Sequence, residues 1–165
     1  MNALSALLSI DPFEWSSVGT ALLCGALIGV ERQLRGKPIG IRTSALIVLA
    51  TYMFVKVSLQ LDSDNVDPSR TIGQVVTGVG FLGAGVIMTR HGAVHGVTSA
   101  AAIWVLAALG VCIATGHELS AIKLSLVALF ILWIVHALEK NNHVLRRGVH
   151  RIVEYRPEND EPPQG

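Results

Sequence analysis

Apolar residues along this chain gather into five long stretches that short polar connections separate. The stretches cover residues 15–30, 43–61, 72–88, 97–115 and 119–138. Each approaches the roughly 20 residues that a helix needs to cross the hydrocarbon core of a bilayer, so the pattern predicts five membrane-spanning helices. The first stretch is short, and the second and fifth contain Lys56 and Lys123, which leaves the third and fourth as the clearest.

Glycine is concentrated in the third stretch, IGQVVTGVGFLGAGVIM, which contains five glycines and no charged residue. A glycine in the interior of a water-exposed helix costs about 1 kcal/mol relative to alanine. In lipid, small residues instead allow neighbouring helices to approach closely. We therefore assign six glycines to helix packing: Gly25 and Gly29, within the bundle or in a homodimer, and Gly78, Gly80, Gly83 and Gly85 of the third stretch.

Residues 78–83 also match the dinucleotide-binding pattern G-x-G-x-x-G. Such a site requires a strand before the glycines, a helix after them and an acidic residue about 20 positions further on. The flanking sequence shows neither the strand–turn–helix alternation nor the acidic residue. The membrane interpretation is therefore favoured over dinucleotide binding.

Composition supports a membrane protein. Hydrophobic residues make up 51% of the 165 residues and charged residues 15%, below the roughly 25% charged residues of soluble domains. The formal net charge of +1 gives no indication of a nucleic-acid partner. Cys24 and Cys112 fall in apolar stretches without metal-ligand spacing and are expected to be small buried residues. The first residues lack a basic segment and a cleavage site, so no removable signal peptide is expected.

The connections between the stretches alternate in charge, which predicts an orientation because cytoplasmic connections are enriched in lysine and arginine. Cations occur after the first, third and fifth stretches. Acidic residues dominate the connection at 62–70, and the connection after the fourth stretch has no lysine or arginine. The N-terminus is therefore predicted outside and the C-terminus in the cytoplasm.

The chain changes character after residue 138, and residues 1–138 are predicted to form the membrane domain. In residues 139–155, apolar positions alternate with basic ones, which is typical of an amphipathic helix lying on the anionic cytoplasmic leaflet. A soluble continuation of the fifth helix is the alternative. Residues 156–165 are polar and proline-rich and are predicted to be disordered.

Charged and hydroxyl side chains meet the membrane boundary where the first stretch ends and the second begins. Glu31 and Arg32 follow the first stretch, and Arg42 and Thr43 begin the second. A cation at a helix N-terminus faces the positive end of the helix dipole, so Arg42 requires a partner, and Glu31 is the expected one. These four residues are a candidate site for an anion, a lipid head group or a partner protein. The alternative is topogenic charge with one structural ion pair.

Lys56 and Gln74 are polar residues within apolar stretches, near their predicted outer ends. Because a charge at the bilayer centre costs at least about 2.5 kcal/mol, such residues usually have a structural or functional reason. The ammonium group of Lys56 is expected to extend toward the acidic outer connection, with an ion pathway and a buried pair as alternatives. No acidic residue is predicted near the membrane midplane, which argues against proton or cation transport.

Two groups of residues offer ligand types that metals use. His91 and His95 have the spacing of helical ligands, but the glycines that follow them interrupt a helix, and no third ligand is evident. The acidic residues at 62–67 offer oxygen ligands, although a solvated loop is the favoured interpretation. We expect no metal and no cofactor. Since no nucleophile, base and orienting group come together, we also expect no enzymatic activity.

Two segments resemble the MgtC/SapB family of bacterial inner-membrane proteins. They are GALIGVERQLRGKPIGIRTSALIVLA at 25–50 and RTIGQVVTGVGFLGAGVIMTRHGAVHGVTSAAAIWVLAALG at 70–110. Family members typically have Gly-Leu-Arg-Thr-His where this chain has Gly-Ile-Arg-Thr-Ser at 40–44, so Ser44 stands in place of a histidine. Longer members also have a soluble C-terminal regulatory domain, and this chain resembles a short form without it.

The resemblance implies a role in adaptation to low magnesium and, in intracellular pathogens, in survival inside host cells. It also implies action by binding membrane proteins, with ATP synthase as the known case, and not transport of magnesium itself. We therefore expect an all-α, five-span regulator in the inner membrane. The alternative is a small homo-oligomeric channel or transporter whose glycine-rich third helix lines the path.

Overall fold

The computed structural model describes residues 9–61, 67–90 and 93–141, which form mainly helices. The helices are α1 (Trp15–Leu34), α2 (Ile41–Gln60), α3 (Pro68–Gly85), α4 (Val97–Ala114) and α5 (Glu118–Asn141). Each helix coincides with one of the five apolar stretches, which confirms the all-α prediction. The predicted disordered tail, and the predicted amphipathic helix beyond Asn141, lie outside the described residues.

A short hairpin between α3 and α4 was not predicted from the sequence. Its strands, β1 (Met88–Arg90) and β2 (Ala93–His95), pair in an antiparallel manner. The third helix therefore ends at Gly85 and not at residue 88, because the chain leaves the helix to enter the hairpin. Of the two histidines considered as metal ligands, His95 belongs to β2, and His91 lies outside the described residues.

Gly96 joins the hairpin to α4 and is required there for a steric reason. It has a φ of +93°, and a Cβ at this position would lie 2.0 Å from the carbonyl oxygen of Val86. L-amino acids with side chains rarely adopt such a φ, and none would fit this contact. Glycine therefore allows the base of the hairpin to lie against the end of α3.

α1 ends in a Schellman motif that reverses the chain toward α2. Gly36 has a φ of +61°, and its N–H donates to the Gln33 carbonyl at 3.0 Å, while the Lys37 N–H donates to the Arg32 carbonyl at 3.0 Å. The side-chain oxygen of Gln33 also accepts a hydrogen bond from the N–H of Ile41 at 3.2 Å. The connection is therefore short and hydrogen-bonded, and α1 and α2 lie side by side.

α4 is the central helix of the bundle, since it contacts each of the other four helices. Its buried residues include Ile103, Leu106 and Leu109. α2 packs against α1 and α4, α5 packs against the same two helices, and α3 contacts chiefly α4.

Among the described helices, α2 and α4 are long and apolar enough to cross a membrane, by length and composition. Spanning by the other three helices, and the orientation of the termini, stay predictions.

Large apolar side chains cover much of the outer surface of the bundle. Leu46 and Phe54 on α2, Phe81 on α3 and Trp133 on α5 are all exposed. Monomeric soluble proteins rarely expose extended apolar patches, because these patches favour association. The surface therefore fits a protein that lipid surrounds.

Glycines of α1 and α4 lie against the backbone of α2. A Cβ on Gly25 would lie 2.5 Å from the Cα of Ala45, and a Cβ on Gly29 would lie 2.6 Å from the Cα of Ile41. On another side of α2, a Cβ on Gly110 would lie 2.7 Å from an α2 carbonyl oxygen. No side chain fits at these contacts unless backbone moves, so glycines on two neighbours hold α2 in place. The role of Gly110 in packing was not predicted from the sequence.

The glycines of α3 make looser contacts, and the packing prediction was wrong for Gly78 and Gly85 within the described chain. A Cβ on either residue would meet no atom beyond its own part of the helix within 4 Å. A Cβ on Gly83 or Gly80 would lie 3.7 or 4.0 Å from the nearest atom of α4, which is ordinary van der Waals contact. Gly80 and Gly83 are therefore on the side of α3 that faces α4, whereas Gly78 and Gly85 are on sides with open space.

Candidate functional site

Three charged side chains form a cluster in and just after the last turn of α1, which we call the α1 charge cluster: Glu31, Arg32 and Arg35. The Glu31 carboxylate accepts hydrogen bonds from Arg32 Nε at 2.5 Å and from Arg32 Nη2 at 3.0 Å. It also pairs with Arg35 Nε at 2.5 Å. Glu31 is 8% exposed and Arg32 is 2% exposed. Two cations share one anion in this buried site, which leaves the cluster with a net positive charge.

The Arg32 guanidinium is only partly satisfied by other protein groups. Its Nη1 atom is buried and has no hydrogen-bond partner among the described residues. The Ser44 hydroxyl is likewise buried without a partner in the described chain. A buried charged donor without an acceptor is costly, so this end of α1 favours an additional acceptor group.

The predicted ion pair between Glu31 and Arg42 was wrong. Arg42 is exposed in the first turn of α2, and within the described residues Glu31 pairs with Arg32 and Arg35. The tight contact between Ile41 and α1 explains this outcome, because the next residue of a helix points about 100° away around its axis. Thr43 is also exposed, and it borders a groove between α2 and α3. The sequence pattern indicated Glu31 and Arg32 but did not indicate Arg35 as the third cluster member.

The loop after α1 and the start of α4 border one pocket at this same end of the bundle. The pocket has a volume of about 310 Å³, and its lining includes Lys37, His95, Thr98 and Ser99. Lys37 and the N-terminus of α4 therefore lie on the same side of the bundle. The N–H groups of a helix start and a lysine favour anions, so the polar chemistry of this end is predominantly electropositive.

A second set of polar contacts occupies the opposite end of the bundle. Lys56 Nζ pairs with Glu14 Oε1 at 3.1 Å, so its partner precedes α1 and does not come from the acidic connection that was expected. Ser17 donates to the Glu118 carboxylate at 2.5 Å. Glu14 and Glu118 directly precede apolar stretches, and that position is the sequence signal that could have indicated them. Gln74 is exposed and borders the groove between α2 and α3.

The described residues do not assemble a set of metal ligands. No group of three or more histidine, cysteine, aspartate or glutamate residues lies close enough to hold a metal ion in the described part of the chain. His91 and the acidic residues at 62–66 lie outside that part. Within the described residues, each carboxylate lies in the first or last turn of a helix or outside the helices.

Comparison with known proteins identifies relatives of this chain. The sequence profile of the MgtC family matches residues 18–141. The candidate magnesium transporter YhiD of Escherichia coli (strain K12) is 45% identical over 136 residues, which cover 75% of this chain and 63% of YhiD. Protein MgtC of Salmonella typhimurium (strain LT2) is 40% identical over 109 residues, which cover 66% of this chain and 46% of MgtC.

The family match includes the main features of the fold and of the site. It extends over all five helices almost completely and contains the α1 charge cluster. The chain spans between 46% and 63% of the length of the YhiD and MgtC relatives. No solved structure matches the chain. Because the match covers most of the residues, the chain belongs to the MgtC family.

Proposed function

We propose that this chain is a non-enzymatic protein of the bacterial inner membrane that supports adaptation to low magnesium or ionic stress by binding other membrane proteins. Membership of the MgtC family and the relatives YhiD and MgtC support a magnesium-related membrane function. The observation that carries the proposed mechanism is the α1 charge cluster, in which a buried Arg32 retains an unpartnered donor.

A buried, net-positive cluster suits recognition more than catalysis. Its guanidinium groups are held by Glu31, so they are positioned before a partner arrives. Complementary charges at an interface increase specificity and the rate of association. An acidic segment at the cytoplasmic boundary of another membrane protein would match this cluster and the nearby Lys37.

The proposed membrane arrangement has five spans, with the N-terminus outside and the C-terminus in the cytoplasm. It follows from the alternation of charge in the connections, because lysine and arginine favour the cytoplasmic side. In this arrangement the α1 charge cluster and the hairpin face the cytoplasm. The Glu14–Lys56 pair and Glu118 lie at the outer boundary.

We propose a membrane protein such as ATP synthase as the partner, since the family resemblance indicates that protein. A homodimer belongs to the same proposal, because membrane helices with small residues on their surface associate readily. In a bacterium that lives inside host cells, adaptation to low magnesium would support survival there.

Magnesium transport is the second candidate function, because one relative bears the name of a candidate magnesium transporter. Hard cations require several oxygen ligands along their path. In the described part of the chain, the carboxylates lie at the helix ends and beyond them and not along the middle of the bundle. This distribution favours the regulator.

The two functions differ in what the purified protein does. Affinity capture from mild detergent, with identification of the bound proteins, is expected to recover a specific membrane partner with the wild type. Capture should fall with Arg32→Gln. Arg70→Gln, which removes an exposed cation near the start of α3, serves as a control for loss of charge alone. Reconstituted into liposomes, the pure protein should produce no magnesium flux. Flux without a specific partner would favour transport.

A further inference from the structure

A long apolar groove runs between α2 and α3, separate from the α1 charge cluster. Its volume is about 710 Å³, within the range of ligand-binding sites. The α2 wall extends from Thr43 to Phe54, and the α3 wall extends from Leu82 to Thr71. At 1.5 Å per helical residue the groove is about 16 Å long, which is close to half of a hydrocarbon core of about 30 Å. Its length therefore matches one leaflet of a bilayer.

The groove exists because α3 leans on α4 and contributes little to the side that faces α2. Gly78 lines the groove, and a Cβ there would meet no atom beyond its own part of the helix within 4 Å. The surrounding wall is mainly apolar and includes Leu46 and Val79. Apolar side chains that face an empty groove lack van der Waals contacts on that side. A flexible apolar chain bound in the groove would supply these contacts.

The two ends of the groove differ in charge. Arg42 lies at one end of the groove. It directly precedes Thr43 and is one helical turn before Leu46, and Thr43 and Leu46 both line the groove. Its side chain is exposed, and no ion pair links it to the described residues. At the other end, Asp67 caps α3 one turn before Thr71. A ligand with an anionic head group would therefore bind with that group at Arg42.

We propose that the α2–α3 groove binds one acyl chain of an anionic phospholipid and that Arg42 interacts with the negative charge of its head group. The proposal rests on the membrane location in the proposed function, but it does not depend on any protein partner. Basic side chains between membrane helices are known to favour anionic lipid head groups. The groove supplies the apolar half of the site, and Arg42 supplies selectivity for charge.

Native mass spectrometry of the detergent-solubilised full chain tests the proposal with two added lipids, phosphatidylglycerol and phosphatidylcholine. Gly78→Leu fills the groove and should reduce retention of both lipids at least about tenfold. Gly85→Leu is the matched control, because that glycine also has open space around it but does not line the groove. It should retain lipid as the wild type does. Arg42→Gln should weaken phosphatidylglycerol about fivefold and leave phosphatidylcholine unchanged.

Several results would overturn the proposal. Equal lipid retention by the wild type and Gly78→Leu would exclude the groove. Equal weakening of both lipids by Arg42→Gln would exclude selectivity of Arg42 for an anionic head group, since phosphatidylcholine also has a phosphate group but no net charge. A disulfide between two copies that carry Gly78→Cys, without retained lipid, would assign the groove to a second copy of the chain. Ala50→Leu fills the groove from the α2 wall, so it provides the same test if Gly78→Leu does not fold. If the wild type retains no lipid but captures its protein partner normally, this inference is wrong and the proposed function is unaffected.

Discussion

Gly29 of α1 lies directly against the backbone of Ile41 in α2, where a Cβ on the glycine would come within 2.6 Å of the Ile41 Cα. This contact fixes the rotation of α2 relative to α1 at the end where the charged residues lie. Arg42 then points about 100° away from the α1 contact, since successive residues of an α-helix are separated by that angle. Glu31 is therefore left to pair with arginines of its own helix.

Substitution of the α1 glycines is expected to destabilise the bundle. Gly25→Ala and Gly29→Ala each place a methyl group against α2 backbone, and overpacking of this kind costs about 1–3 kcal/mol. Thermal unfolding in detergent measures the change. Gly85→Ala is the control, since a Cβ there meets open space and alanine favours a helix over glycine by about 1 kcal/mol. Unchanged stability of both variants would show that a methyl group fits between α1 and α2, which contradicts the close contact.

The α1 charge cluster predicts a large effect of one neutral substitution. Glu31→Gln removes the only anion that compensates Arg32 and Arg35 within the described residues. Breaking a buried ion pair from one side costs about 3–5 kcal/mol, because the remaining charge is left unpaired. Arg42→Gln removes an exposed cation that forms no ion pair within the described residues, so it should change the free energy of unfolding by less than about 0.5 kcal/mol.

A double-mutant cycle tests whether the loss of stability in Glu31→Gln comes from its ion pair with Arg35 or from a general sensitivity of this region to substitution. Glu31→Gln combined with Arg35→Gln should recover part of the loss, since one uncompensated cation is then absent. Strictly additive effects of the two substitutions would contradict an energetic coupling between these residues. Unfolding in detergent and partner capture are measured on the same variants, so structural and recognition roles are compared directly.

The Asp67 cap predicts a pH-dependent contribution to stability at the start of α3. Its carboxylate accepts hydrogen bonds from the Ser69 hydroxyl at 2.7 Å and the Ser69 N–H at 2.9 Å. These bonds hold the pKa of Asp67 below its ordinary value of 3.8. Because the folded-state pKa is lower than the unfolded one, the contribution is present above about pH 4 and is lost as the pH falls through the folded-state pKa.

Comparison with Asp67→Asn isolates that contribution, because asparagine retains the cap but does not titrate. The wild type should lose stability relative to Asp67→Asn between about pH 5 and pH 2. Thermal unfolding at a series of pH values provides the measurement. A difference that stays constant across this range would mean that the cap does not depend on ionisation.

The sequence predicted the helices better than their contacts, for physical reasons that particular residues illustrate. An apolar stretch is a local property, so all five helices were found. The Gly25 and Gly29 spacing could also be read locally, whereas Gly110 became a packing residue only because α4 lies against α2. Gly78 has the same local character as Gly83 but lies on an unpacked face.

The candidate site shows the same division between local and tertiary information. Glu31 and Arg32 were recognised because charge stands out at the end of an apolar stretch. Their partner could not be chosen correctly, since the rotation of α2 about its axis decides whether Arg42 faces α1. Lys56 was expected to reach an acidic connection and pairs with Glu14, because the start of α1 lies beside the end of α2.

The proposed orientation predicts which positions an external reagent can reach in intact cells. The native cysteines, Cys24 and Cys112, are first replaced by alanine, and single cysteines are then introduced at Asp64, Lys37 or Arg147. A membrane-impermeant thiol reagent should label the first position but not the other two, because the lysine-rich and arginine-rich connections face the cytoplasm. Permeabilised cells should show labelling at all three positions, which verifies that each cysteine is reactive. Labelling at position 37 in intact cells would place the α1 charge cluster outside and would contradict a cytoplasmic partner.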